Sequence, residues 1–156
     1  MKVLFMCTHN SCRSTLSEAL FSHLAPAGIE AVSSGSFPSG RVNQRALQTL
    51  AAAGISTAGL SSKGSGAFEG VPPDVVITVC DRAAGEACPV FFGPALKAHW
   101  GLADPSEVTG SEAEISAAFD ATLAKIRERV SAFLELPLKE MSAAALQAEL
   151  NRIGTL

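Results

Sequence analysis

The chain opens with a short apolar run, residues 3–6, that stops at Cys7 and gives way to small and polar positions as far as Arg13. An unbroken apolar run of this length matches a buried, central strand. From residue 14 the period becomes helical, with Leu16, Leu20, Phe21 and Leu24 on one face until Pro26 and Gly28 end it. Residues 29–34 read as a second short strand running into the turn-rich stretch 35–40. Asn43 then predicts the N-cap of a helix carrying Ala46, Leu47, Leu50 and Ala51 and closed by Gly54. Strand, helix, strand, helix in succession implies a parallel sheet with helices on both faces.

Residues 56–73 are rich in Gly, Ser and Pro and predict a long loop, with room for a short strand or helical turn near Leu60 or Phe68. Residues 74–79 are the most strand-like run in the chain, and Cys80 stands at its C-terminal end. Ligands of open parallel sheets bind at that end, where Cys7 also lies. Residues 81–86 read as a mobile loop leading to Cys88-Pro89, and 94–99 as a turn of helix or an extended approach to Trp100. Asp104-Pro105-Ser106 predicts a loop, because proline biases the residue before it away from the helix. Ser111 and Glu114 form a capping box for a long helix through about Leu134, with Ile115, Ala118, Phe119, Leu123, Ile126, Val130, Phe133 and Leu134 as its apolar stripe. After Pro137 the tail repeats the helical pattern, with Ser142 as cap and Leu146, Leu150 and Ile153 in line. The division expected is a domain over 1–137 and a C-terminal helical extension over 138–156, the latter packing on its own domain.

Composition narrows the class. A chain of 156 residues with 47% hydrophobic content supports one packed core. Its net charge of −3 gives no basic face for nucleic acid or an anionic membrane, so any affinity for anions must be local. No apolar stretch is long enough for a membrane span and the N-terminus has no signal-peptide pattern, so a cytoplasmic protein is expected. In a reducing compartment the four cysteines, Cys7, Cys12, Cys80 and Cys88, are catalytic or redox-active rather than structural, and their spacing does not match zinc sites.

The chemistry centres on residues 7–14. A loop between a buried strand and a helix start directs several backbone N–H groups to one point, and the helix dipole adds positive potential there. Cys7 lies at its mouth, where a thiolate is favoured over a thiol. Arg13 supplies a planar fork of donors for two oxygens of a tetrahedral anion. The reading is a cysteine nucleophile aimed at a phosphate-like oxyanion, against the plainer alternatives of a buried apolar cysteine and a surface arginine. Cys12 reads as a small hydrophobe facing the loop interior, and His9 as a solvent-facing loop residue.

The run Cys7-Thr8-His9-Asn10-Ser11-Cys12-Arg13-Ser14, taken with Asp104-Pro105, resembles the low-molecular-weight protein tyrosine phosphatase fold, and with Cys80 and Cys88 added it resembles the thiol-dependent arsenate reductases built on that fold. The similarity spans roughly residues 1–137. It implies an α/β domain of three layers around a four-stranded parallel sheet. It also implies roles: Cys7 as nucleophile, Arg13 as oxyanion clamp, Ser14 as donor to the Cys7 thiolate, Asn10 as the residue shaping the loop, and Asp104 as general acid. Thr8, His9, Asn10, Ser11, Cys12, Arg13 and Ser14 together would cradle the substrate.

Cys80 and Cys88 would be the redox relay: Cys80 attacks the Cys7 sulfur of a covalent arsenic adduct, and Cys88 then attacks Cys80. No bound cofactor is expected. The reductant would be external, either thioredoxin or glutathione with glutaredoxin. Two alternatives remain, a phosphatase for phosphotyrosine or a small phosphomonoester and a non-enzymatic thiol sensor. Members that hydrolyse phosphotyrosine carry an aromatic residue after the Asp-Pro pair, whereas this chain has Ser106 and no tyrosine. Some reductases bind potassium through an acidic residue where Lys63 stands here, so no metal requirement is expected.

Overall fold

The opening apolar run is strand β1 (Lys2–Cys7) of a computed structural model that describes residues 1–68, 70–87, 90–91 and 93–156. Cys88 therefore lies outside the described residues. With β2 (Glu30–Gly35), β3 (Val75–Thr78) and β4 (Leu96–His99), β1 forms one four-stranded sheet of order β2-β1-β3-β4. Every pairing is parallel. The α/β class and the four-stranded parallel sheet match the expectation. Within residues 94–99, read as either a helical turn or extended chain, Leu96–His99 form the edge strand β4.

Alternation along β1 sorts its side chains between two faces. Val3, Phe5 and Cys7 join the larger core cluster, together with Val75, Ile77 and Val79 from β3 and its continuation. The helices α1 (Arg13–Leu24), α2 (Gln44–Ala52), α3 (Glu112–Leu134) and α4 (Ala143–Ile153) all contribute to this cluster, through residues such as Leu16, Leu50, Phe133 and Leu150. Leu4, Met6 and Val76 form a smaller cluster on the other face, where the apolar partners among the described residues are Val32, Phe91 and Ala95.

The caps form as the side chains dictate. Asn43 accepts from the Arg45 and Ala46 amides, Ser111 from Glu114 and Ser142 from Ala145. Two helix faces differ from the pattern read in the sequence. In α2, Ala51 is exposed and Thr49 takes a buried position, its hydroxyl donating to the Arg45 carbonyl at 2.7 Å. In α3, the buried face includes Arg129. The tail packs on its own domain: Leu146, Leu150 and Ile153 are buried in the main cluster, and Trp100 Nε1 donates to the Leu150 carbonyl at 3.0 Å. Phe5, Phe21, Phe133 and Trp100 form a chain of ring contacts with centroids 5.7 to 6.3 Å apart beneath β1.

The strand order places the site. From β1 the chain crosses to β2 on one side and later returns to β3 on the other, so the order reverses between β1 and β3. A crevice opens at the C-terminal ends of such strands. Cys7 ends β1 there. Thr78, paired with Met6, is followed by Val79, whose amide donates to the Met6 carbonyl at 2.9 Å, and then by Cys80.

Candidate active site

The loop from Thr8 to Cys12 is pinned from outside by its carbonyl groups. The Thr8 carbonyl accepts from Phe37 N–H, the His9 carbonyl from Ser39 N–H and Ser62 Oγ, and the Ser11 carbonyl from Asn43 N–H, at 2.8 to 3.1 Å. Peptide N–H and C=O groups point in opposite directions, so carbonyls drawn outward turn the amides inward. Among the described residues no acceptor meets the N–H groups of His9, Asn10, Ser11 or Cys12. Helix α1 follows directly, with no side-chain cap at Cys12, so its first-turn amides are open as well.

Asn10 sets the bend. Its φ of 47° makes it the one positive-φ residue other than glycine among the described residues, a conformation asparagine tolerates better than most. Its side chain is fully buried and its amide orientation is fixed by the backbone. Oδ1 accepts from Lys63 N–H at 2.9 Å, so Nδ2 is the donor to Ser14 Oγ at 2.8 Å and to Ser33 Oγ at 2.9 Å. Ser33 Oγ passes a hydrogen bond to Glu18 at 2.7 Å, and Lys63 Nζ stands 3.7 Å from the same carboxylate. The lysine ammonium thus supplies positive charge beside Glu18. Among the described residues no group of three or more His, Cys, Asp or Glu side chains gathers around a possible metal position.

Gly35 closes the loop from beneath. A Cβ there would lie 2.6 Å from the Thr8 carbonyl oxygen and 2.8 Å from the Asn10 nitrogen, so only glycine permits this approach.

Cys7 is buried, and its Sγ lies 2.9 Å from Ser14 Oγ. Ser14 sits inside α1 and does not cap it. Cys12 is buried and its thiol is pushed far up, first by burial and then by the charges of Asp104 and Cys7. It is an inert small hydrophobe rather than a second nucleophile. Cys7, Cys12, Arg13, Asp104 and Ser106 line a small cavity of about 140 Å³. Ser11 and His9 also line this cavity, but polar atoms of their side chains are engaged elsewhere: Ser11 Oγ donates to the Arg41 carbonyl, and His9 Nδ1 lies 3.1 Å from the Phe37 carbonyl oxygen.

Arg13 is buried at 4% exposure and carries three partners. Its Nη1 donates to the Leu102 carbonyl at 3.2 Å and to Glu86 Oε2 at 2.6 Å; its Nη2 donates to Glu86 Oε1 at 2.8 Å and to Asp104 Oδ2 at 3.5 Å. Burial works against the guanidinium charge, but the Glu86 hydrogen bond and the Asp104 charge more than offset it. Asp104 keeps its other oxygen on Ser106, accepting from the backbone N–H at 3.0 Å and the hydroxyl at 2.6 Å. Its carboxylate is therefore aimed, with one oxygen toward Arg13 and the cavity.

The segment after β3 is more ordered in its bonding than a mobile loop implies. Asp81 Oδ1 accepts from Ala84 N–H and the Asp81 carbonyl from Glu86 N–H, folding 81–86 around a short 3-10 turn (Arg82–Ala84). Glu86, which sequence reasoning had only as the end of that loop, enters the site. No local signal marks it, since a single glutamate in a polar stretch looks solvated. Cys80 is fully buried and disulfide-bonded, whereas Cys7 and Cys12 are free thiols.

Comparison with known proteins fits this geometry. The family model for low molecular weight phosphotyrosine protein phosphatase matches residues 2–151. An arsenate reductase of Bacillus licheniformis is 32% identical over 85% of this chain and 94% of its own. A glutaredoxin arsenate reductase of Synechocystis is also 32% identical, over 83% of this chain and 92% of its own. Among solved structures, an arsenate reductase from Archaeoglobus fulgidus superposes with a TM-score of 0.69 at 27% identity, covering 86% of this chain and 99% of that one.

Proposed function

This chain belongs to the low molecular weight phosphotyrosine protein phosphatase family, and from that premise we propose that it reduces arsenate to arsenite with Cys7 as the attacking thiol. The observation that carries this reading is the pairing of a free Cys7 with a disulfide-bonded Cys80 at the C-terminal ends of adjacent parallel strands. A phosphatase has no use for the second sulfur. The relatives named arsenate reductase support the same choice.

In the proposed sequence the Cys7 sulfur attacks arsenic while Arg13 and the inward amides hold the oxygens, and Asp104 protonates the departing oxygen so that it leaves as water. Cys80 then attacks the Cys7 sulfur. A Cys7–Cys80 disulfide forms, the S–As electron pair stays on arsenic, and arsenite departs. Cys88 attacks Cys80 and frees Cys7, leaving a Cys80–Cys88 disulfide for an external thiol system, thioredoxin or glutathione with glutaredoxin, to reduce. Ser106 in place of an aromatic residue leaves Asp104 with a hydroxyl partner and gives a substrate ring nothing to stack on.

The test is arsenate-dependent NADPH oxidation coupled through either thiol system, run beside aryl phosphate hydrolysis, on wild type, Cys7→Ser, Cys80→Ser and Cys88→Ser. Arsenate turnover abolished by the Cys7 and Cys80 substitutions is expected. Phosphate ester hydrolysis that survives loss of Cys80 and Cys88, with no arsenate turnover, would replace this reading with the phosphatase one.

A further inference from the structure

We propose that Glu86 is an internal occupant of the oxyanion site and closes it while Cys80 is held in its disulfide. The proposal rests on the reading that the Arg13 fork is where a tetrahedral oxyanion is held; it does not depend on arsenate being that oxyanion.

The Glu86 carboxylate accepts four hydrogen bonds, two at each oxygen. Oε1 takes Arg13 Nη2 at 2.8 Å and Thr8 Oγ1 at 3.0 Å; Oε2 takes Arg13 Nη1 at 2.6 Å and the Asp81 N–H at 2.9 Å. That uses about all the acceptor positions an ionised carboxylate has. The pair with Arg13 is bidentate, the geometry in which a guanidinium also grips two oxygens of a phosphate-like anion. A carboxylate and a tetrahedral oxyanion cannot both take those two N–H directions.

Charge acts in the same sense. Arg13 brings one positive charge, and the Glu86 carboxylate stands directly against it at 2.6 Å. The Arg13 hydrogen bond, opposed by burial and aided by the Asp81 amide, holds the Glu86 carboxyl down to about 2, so it stays ionised wherever an oxyanion substrate does. An anion approaching Arg13 in this arrangement meets a guanidinium whose charge Glu86 already neutralises, so the attraction that would draw it in is lost.

The link to Cys80 is one residue long. Asp81 follows Cys80 directly, and Asp81 fixes Glu86 twice: its N–H donates to the Glu86 carboxylate and its carbonyl accepts from Glu86 N–H at 3.1 Å. Glu86 is therefore set by the backbone beside the disulfide-bonded sulfur. Any rearrangement of Cys80 on reduction moves Asp81, and with it the carboxylate. The consequence is a site that refuses oxyanions, substrate and phosphate alike, until a reductant has restored the thiols it needs.

The experiment is calorimetric titration of inorganic phosphate into wild type, Glu86→Gln and Glu86→Ala, each with the Cys80 disulfide in place and again after reduction with dithiothreitol. Phosphate needs no turnover, so the readout is independent of arsenate reduction. Wild type is expected to bind phosphate about tenfold or more tightly after reduction, given the usual strength of charge-assisted hydrogen bonds. Both variants are expected to bind within about twofold of each other and of reduced wild type in the two redox states. Equal binding by wild type in both states, or variants that keep the full wild-type difference, would make Glu86 a mere support for Arg13 and overturn the proposal. Phosphate binding to none of the forms would instead remove the oxyanion site itself, and the functional reading with it.

Discussion

Ser14 Oγ stands 2.9 Å from Cys7 Sγ, and a third residue takes up part of the hydroxyl's accepting capacity. Asn10 Nδ2, a pure donor, occupies an acceptor position of Ser14 Oγ at 2.8 Å. One lone pair of the hydroxyl is thereby used, and toward a Cys7 thiolate, which can only accept, the serine is the donor. The chain of bonds from the Lys63 backbone through Asn10 and Ser14 to Cys7 is a device for presenting one hydroxyl proton to one sulfur. Replacing Ser14 by alanine removes a bond to a charged group worth about 1.5–3 kcal/mol, so kcat/KM for arsenate should fall about tenfold or more. Alkylation of Cys7 by iodoacetamide at neutral pH should slow in parallel. A variant that alkylates and turns over at the wild-type rate would show that the sulfur does not use this proton.

Arg13→Lys keeps the charge and removes the fork. A lysine ammonium cannot give two parallel N–H bonds to an anion, and it would leave the Leu102 carbonyl, which accepts from Nη1, to find another donor. Loss of a preorganised oxyanion donor commonly costs about 100-fold or more in kcat, and kcat/KM for arsenate should fall by at least that factor. Steady-state kinetics on the folded variant checks it.

Glu86 also makes stability depend on acid. Its carboxyl is held at about 2 in the folded protein, chiefly by the Arg13 hydrogen bond, against 4.5 as the ordinary value. The unfolded chain therefore binds the extra proton first as pH falls. The stabilisation is complete above about 4.5 and is lost on the way down to about 2. Urea midpoints measured across that window should fall with pH in wild type more steeply than in Glu86→Gln, which has nothing to protonate there. Parallel slopes would mean the ion pair adds nothing to folding.

The framework of the site was legible because local rules and tertiary structure agree at those positions. The apolar run 3–6 matches a buried strand, Asn43, Ser111 and Ser142 stand where a helix period begins and have the side chains that cap, and the few residues from Cys7 to Arg13 fit a turn from strand to helix. Glu86 and Arg129 were not legible, and for one reason. Each is a charged residue whose partners come from distant parts of the chain, Arg13 in one case and Gly101, Gly154 and Leu156 in the other. Periodicity records which face is apolar; it does not record which charge finds a buried partner. The stretch 94–99 stayed ambiguous because a four-residue edge strand carries too few positions for a period to show.

Arg129 is the place to test whether the tail supports the site. Its guanidinium is buried, and it donates to the carbonyls of Gly101 at 2.9 Å, Gly154 at 3.3 Å and Leu156 at 3.1 Å. It ties the end of α4 to the stretch that carries Leu102 and Asp104, both partners of Arg13. Burial lowers its pKa, so holding the charge there has a cost that these bonds and the nearby Glu128 charge offset. Arg129→Ala leaves three inward carbonyls without a donor and should destabilise the fold by about 2–4 kcal/mol, lowering the Tm by roughly 5–15 °C. Because the slackened segment is the one that aims Asp104, kcat should fall several-fold even well below the new Tm, and Arg129→Lys should recover part of the stability but little of the aim, having no fork to span separate carbonyls. Thermal unfolding and kcat measured on both variants separate the two effects; a fall in Tm with kcat unchanged would confine Arg129 to holding the tail.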